Sequence, residues 1–175
     1  MKRVAAQLIY CSPELILRHH AIELDDAGII KDIFDLKSMP FETANTLFYN
    51  GIISTEIISA KHYLNETGLI KLMADRHYID FSNHKSVLPL DANYTGIIDF
   101  GSNNSGEINR LLKINYNFFS ELRIDQFINA CCYLPQQLFK PASDLQISNK
   151  VRLLLWEGIN LTTLQISPEI RITGI

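Results

Sequence analysis

The sequence predicts an α+β protein in which a β-sandwich-like sheet domain is built from both chain termini, with a helical segment inserted between them. Three observations support this prediction. Strand and turn signals fill roughly the first 60 positions, helical spacings dominate residues 104–138, and strand-like runs return after residue 150. The expected division assigns residues 1–64 and 145–175 to the sheet domain and residues 65–144 to the insertion.

The amino-terminal strands are predicted from apolar runs and the turns between them. Val4–Tyr10 is a strand-like run. Ala21–Leu24 and Ile29–Phe34 are predicted to form a hairpin, because Asp25–Gly28 between them has turn chemistry. The pair Asn50-Gly51 predicts either a tight turn between two strands or a bulge in one strand.

Helical spacing in the middle of the chain predicts a short helix over Glu66–His77 and two further helices after residue 104. Asn104 with Glu107 resembles a capping pair at the start of the first of these. Asp125 is predicted to cap the second, and Pro135 to perturb or end it. The apolar face of the first is predicted to contain Ile108, Leu111, Leu112, Phe119 and Leu122.

The carboxyl-terminal part is predicted to return to β-structure. The expected strands are Lys150–Trp156, Leu161–Ile166 and Ile170–Thr173. Gly158 and Ser167-Pro168 separate them.

Composition limits the classes of partner. Apolar residues make up 47% of the chain, which is enough for a core, and the net charge of −3 argues against a nucleic-acid partner. We expect no membrane partner, because no run of about 18 apolar residues occurs. The three cysteines form no disulfide framework, and a reducing cytoplasm is the expected location.

A resemblance to the amidohydrolase superfamily, the cytosine-deaminase-like metal-dependent hydrolases, rests on residues 50–64, which read NGIISTEIISAKHYL. In that family the corresponding run leads from the first β-domain into a metal-binding barrel and ends in H-x-H-L. Gly51, Ala60 and Leu64 fit this pattern, whereas Lys61 and Tyr63 stand at the two histidine positions.

Further segments resemble the same family in the same order. These are AAQLIYCSPELIL, AIELDDAGIIKDI and LFYNGII near the start, the helical run INRLLKINYNFFSELRIDQFINACCYLPQQLF, and VRLLLWEGINL near the end. The resemblance implies a composite β-sandwich contributed by both termini. It does not imply a complete TIM barrel, since residues 65–149 number 85 and a full barrel needs about 250.

The resemblance also implies a degenerate catalytic site. Lys61 and Tyr63 are poor replacements for metal-binding histidines. The run Gly101-Ser102-Asn103-Asn104 resembles the family's G-T-D-S turn and places Asn103 at the catalytic aspartate, where an amide cannot act as a general base. The expectation is therefore a non-catalytic protein with a binding or scaffolding role, no cofactor and an unidentified small-molecule ligand.

The expected partner is a second copy of the chain, because a sandwich face without its barrel needs cover. The aromatic cluster Tyr116, Phe118 and Phe119 is a further candidate for a partner surface.

Two other interpretations stay open. The first is a metal-dependent hydrolase acting on C–N bonds, with zinc or iron held by His62, His77 and His84 or by a site shared between subunits. The second discards the kinship and keeps a small-ligand-binding β-domain. Independently of these, the polar turn Gly101–Gly106 before a helix is either an anion site on free amides or a simple capped loop.

Overall fold

The computed structural model describes residues 1–38, 45–75, 78–83, 90–139 and 145–175. The strands in these ranges are β1 (Lys2–Ser12), β2 (Leu15–Arg18), β3 (His20–Leu24), β4 (Ile30–Asp35), β5 (Thr46–Thr55), β6 (Tyr78–Asp80), β7 (Ile97–Asp99), β8 (Leu153–Asn160) and β9 (Gln165–Gly174). The helices are α1 (Glu66–Ala74), α2 (Ser105–Ile114), α3 (Tyr116–Phe119), α4 (Ile124–Ile128) and α5 (Leu134–Phe139). Short 3₁₀ turns span Leu36–Ser38, Ala60–His62 and Phe81–Asn83, and a π-helical turn spans Asn129–Tyr133.

Seven strands form one mixed sheet with the order β4-β3-β1-β5-β8-β9, and β2 pairs with the second half of β1. β1 and β5 run parallel, whereas β5 and β8 run antiparallel from Thr55↔Leu153 to Ile52↔Trp156. The α+β class and the pairing of strands from both chain ends are therefore confirmed. The described residues form no closed barrel. The sandwich arrangement stays a prediction.

Asn50-Gly51 forms a bulge inside β5, which is one of its two predicted structures. Gly51 has φ +155, and a Cβ there would collide with the backbone carbonyl oxygen of Trp156. The Gly51 N–H donates instead to the side chain of Gln7. Glycine is required because β8 approaches the backbone at this point.

The large sheet curls so that the start of β4 meets the segment before β8. The Ile30 N–H donates to the Asn149 carbonyl at 3.0 Å, and the Val151 N–H donates to the Gly28 carbonyl at 3.2 Å. The curl encloses a buried aliphatic cluster of Val4, Ala6, Ile9, Ile22, Leu24, Ile30, Ile53, Leu153 and Leu155. β1 contributes to both apolar clusters of the fold: Val4, Ala6 and Ile9 belong to this one, and Leu8 and Tyr10 belong to the one beside the helices, with the register shift of the strand between Ala6 and Leu8.

A second apolar cluster lies between the sheet and the helices. It includes Leu8, Trp156 and Ile172 from the sheet together with Ile108, Leu112, Phe119, Phe127 and Ile128 from the helices. Phe118 and Phe119 are buried in it, so the interpretation of these two rings as a partner surface is wrong. Their burial is explained by the break at Asn115, which turns α3 back onto the core.

The helix boundaries differ from prediction in two places. Asn104 caps α2 as expected, since its side chain accepts from the Glu107 N–H at 3.1 Å. Asp125 is not a cap, because Arg123 occupies that position and the Gln126 side chain accepts from its N–H. Pro135 is preceded by the π-helical turn, which accommodates its missing N–H and lets the helix continue.

The carboxyl-terminal part of the chain contains two strands, β8 and β9, where three were predicted. Gly158 forms a bulge in β8, and the chain turns later, between β8 and β9. Pro168 lies inside β9, where it is tolerated because β9 is an edge strand.

Candidate functional site

The candidate site lies at the end of the small sheet, where β6 and β7 pair in parallel. Each strand ends in an aspartate, and the register places Asp80 opposite Asp99. The following residues, Phe81 and Phe100, are both buried, with ring centroids 5.4 Å apart. The short repeat Ile-Asp-Phe at 79–81 and 98–100 thus gives the two strands matching ends.

Asp99 is a fully buried carboxylate that is held by neutral donors. One oxygen accepts from the Tyr78 hydroxyl at 2.8 Å, and the other accepts from the Gly101 N–H at 2.7 Å. Burial, with Asp99 beside it, raises the pKa of Tyr78, so this tyrosine stays a neutral donor. These contacts satisfy a carboxylate that would otherwise be costly to bury.

Asp80 forms an ion pair with Lys61 at the mouth of the same site. Nζ of Lys61 lies 2.6 Å from Oδ2 of Asp80, and the two side chains are 29% and 11% exposed. Oδ1 of Asp80 accepts from the hydroxyl and the N–H of Ser82. Burial acts to raise the pKa of Asp80, but the hydrogen bonds from Lys61 and Ser82 outweigh it and hold that pKa below its usual value.

Gly101 closes the site on the side of β7. It has φ +65, and a Cβ on it would lie 2.8 Å from Oγ of Ser82. Nζ of Lys61 also hydrogen-bonds this hydroxyl. The amine, the hydroxyl and the Gly101 backbone therefore pack closely enough that a larger residue at 101 would push them apart.

The three predicted degenerate positions lie in different parts of the structure. Lys61 is at the centre of the site, as described. Tyr63 points elsewhere, since its ring is 46% exposed and stacks on Phe139 at 5.8 Å. Asn103 is exposed and lines a different cavity, beside Glu56.

Of the three alternative metal ligands, His62 alone lies within the described residues. His62 is exposed, next to Lys61 in the chain. His77 and His84 lie outside the described residues. In the ranges that the structure covers, no three His, Cys, Asp or Glu side chains are placed to share a metal ion.

Sequence reasoning missed the pairing of Asp80 with Asp99. The signal that could have found it is the repeated Ile-Asp-Phe, each copy at the end of a short apolar run. Polar residues that end adjacent parallel strands meet at one edge of a sheet, which is where α/β proteins place ligands.

The chain matches no protein-family model and none of the curated proteins with which it was compared. Among the described helices, none is both long and apolar enough to cross a membrane.

Proposed function

We propose that this chain is a non-catalytic relative of the amidohydrolases with a binding or scaffolding role. The observation that carries the proposal is the ion pair between Lys61 and Asp80 at 2.6 Å. Lys61 is the residue that replaces the first metal-binding histidine in the resemblance. Its ammonium supplies a tethered positive charge beside two carboxylates, where the family would hold a metal ion.

The surrounding hydrogen bonds support the same proposal. Asp99 accepts from Tyr78 and Gly101, and Asp80 accepts from Lys61 and Ser82. A divalent ion would have to displace these donors and would be repelled by the ammonium. Nothing in this arrangement requires a metal for charge balance at Asp80.

Elemental analysis of the purified chain tests the proposal. We expect zinc and iron well below one equivalent per chain, and no change when Lys61 is kept and His62, His77 and His84 are all replaced by alanine. One equivalent of either metal in the wild type, lost in the triple variant, would overturn the proposal.

The second candidate is a metal-dependent hydrolase acting on C–N bonds. It is favoured by one observation: Asp80 and Asp99 end adjacent parallel strands, as catalytic carboxylates do. Zinc or iron would then bind at His62, His77 and His84 or between subunits. Ammonia release from a panel of amides and aminopyrimidines, dependent on added metal, is the result that would favour it.

We also propose that the chain forms a homodimer in the cytoplasm and binds neither nucleic acid nor membrane. Support for the dimer comes from Leu47 and Phe48, consecutive exposed residues on β5. Consecutive strand residues point to opposite faces, so this corner of the sheet lacks cover on both sides. Light scattering on the purified chain measures the mass directly.

A further inference from the structure

A surface cavity of about 410 Å³ lies at one end of strands β5, β8 and β9. Its walls are the segment after β5, the start of β8, the end of β9 and the first turn of α2. It contains neither Lys61 nor Asp80. A function placed here goes beyond the proposal above and does not depend on it.

The wall between α2 and β9 is fixed by a double hydrogen bond. The Asn109 side chain donates to the Ile172 carbonyl at 2.8 Å and accepts from the Ile172 N–H at 2.7 Å. Asn109 therefore pairs with the edge of β9 as another strand would. Ile108, one residue earlier, is buried against the same strand and lines the cavity. The cavity is thus preformed, which lowers the entropy cost of binding.

The charge at the mouth of the cavity comes from Arg152. Its side chain is 70% exposed, and its guanidinium lies 3.9 Å from the carboxylate of Glu56, which is 17% exposed. That separation is the outer limit of an ion pair, and the 70% exposure of the Arg152 side chain leaves its guanidinium accessible to a ligand. Asn103 and Ser105, on the opposite wall, add neutral hydrogen-bonding groups.

Apolar side chains line the rest of the cavity. Val151, just before β8, and Leu154, on β8, are partly exposed and lie on either side of Arg152 and Leu153 in the sequence. Small-molecule sites commonly combine such apolar walls with a few polar groups, and 410 Å³ is at the small end of their range. An arginine at the mouth is suited to a carboxylate, which can accept two of its N–H groups.

We infer that this cavity binds a small organic carboxylate, with the carboxylate on Arg152 and a short apolar part against Val151 and Leu154. Glu56, the ion-pair partner of Arg152, lines the same cavity. The Gly101–Gly106 turn, which the sequence left open between an anion site and a capped loop, contributes Asn103 and Ser105 to the polar wall.

Titration with hexanoate, followed by amide NMR shifts, tests the inference. Hexanamide is the matched neutral probe. Arg171→Ala is the matched protein control, because Arg171 on β9 pairs with Glu157 on β8 and neither residue lines the cavity. We expect saturable shifts at cavity residues with hexanoate. We expect Arg152→Ala to weaken binding about fivefold, the effect of one partly exposed charge contact, and Arg171→Ala to leave it unchanged.

Arg152→Lys tests whether the weaker binding of Arg152→Ala comes from the lost charge or from a disturbed fold. It keeps the charge and should bind with intermediate affinity. Equal binding of hexanoate and hexanamide, equal loss in the Arg152→Ala and Arg171→Ala variants, or no saturable shift in the wild type would each overturn the inference. The metal content of the chain is unaffected by any of these results, so the two proposals fail separately.

Discussion

The large and the small sheet bury their polar groups in opposite ways. Under the large sheet the buried polar contacts are neutral: Nε1 of Trp156 donates to Oγ of Ser54 at 2.7 Å, and Oγ1 of Thr55 donates to Gln136 at 2.9 Å. At the small sheet they involve charged groups: the buried Asp99 accepts from neutral donors, and Lys61 and Asp80 form a partly exposed ion pair.

The difference separates what stabilises the fold from what forms a site. Neutral pairs are inexpensive to bury and fix the packing of Trp156. A buried carboxylate or a partly buried ion pair seldom adds net stability, because desolvation offsets its attraction. The charges of the small sheet are therefore not explained by stability alone, and this is why we take Asp80, Asp99 and Lys61 as the candidate site.

The comparison predicts that the largest loss of stability comes from the large sheet. Trp156 is fully buried, and its ring packs edge-on against Phe127 at 5.9 Å. Trp156→Ala should lower the free energy of unfolding by about 3–5 kcal/mol, since it leaves a cavity and removes the hydrogen bond to Ser54. Urea denaturation followed by circular dichroism measures this change.

Leu15→Ala is the matched control for that measurement. Leu15 is a large apolar residue of the same sheet, on β2, but it is 50% exposed. Its replacement should change the unfolding free energy by no more than about 0.5 kcal/mol. Comparable losses in both variants would show that the sheet does not depend on the Trp156 junction.

The second prediction concerns the carboxylate of the small sheet. Asp99→Ala should lower the unfolding free energy by about 3 kcal/mol, because the buried donors of Tyr78 and Gly101 lose their acceptor. Asp26→Ala, at a side chain that is 95% exposed, is the control and should change it by less than about 0.5 kcal/mol. A near-neutral Asp99→Ala variant would mean that water replaces the carboxylate and that the site is open.

Much of the large sheet could be predicted because its strands are long enough to show a pattern. β1 was predicted from its apolar run, and the β3–β4 hairpin from its two strand-like runs and the Asp25–Gly28 turn, and the structure confirms both. The sequence does not distinguish a turn from a bulge at Asn50-Gly51, because the outcome depends on β8, whose backbone comes close to Gly51. Local signals do not contain such distant contacts.

The small sheet was missed because each of its strands has three residues. No periodicity can be read over so short a run. Lys61 and Tyr63 show a second limit. Residues two apart share a face in a strand, but Ala60–His62 form a 3₁₀ turn, so the two side chains diverge. Only Lys61 therefore reaches Asp80.

The smallest expected effect comes from removing the ammonium of the site. Lys61→Met should lower the unfolding free energy by about 1–2 kcal/mol at neutral pH, as loss of a charged hydrogen bond does. The control is Lys31→Met, whose partner Asp25 lies 3.2 Å away in a more exposed pair, and about 0.5 kcal/mol is expected there.

The pH dependence of this loss distinguishes an ion pair from simple packing. The pKa of Asp80 is lowered in the folded chain, so its stabilising contribution is present above its unfolded value of 3.8 and disappears as the pH falls through the lowered value. Without Lys61, burial remains and disfavours the charged carboxylate. The difference between wild type and Lys61→Met should therefore be full at neutral pH, begin to shrink near pH 4 and vanish below the lowered pKa of wild-type Asp80, where the carboxyl group is protonated in both proteins. A difference that stays constant down to acid pH would mean that Lys61 contributes through its alkyl chain, and the charge-based comparison of the two sheets would no longer hold.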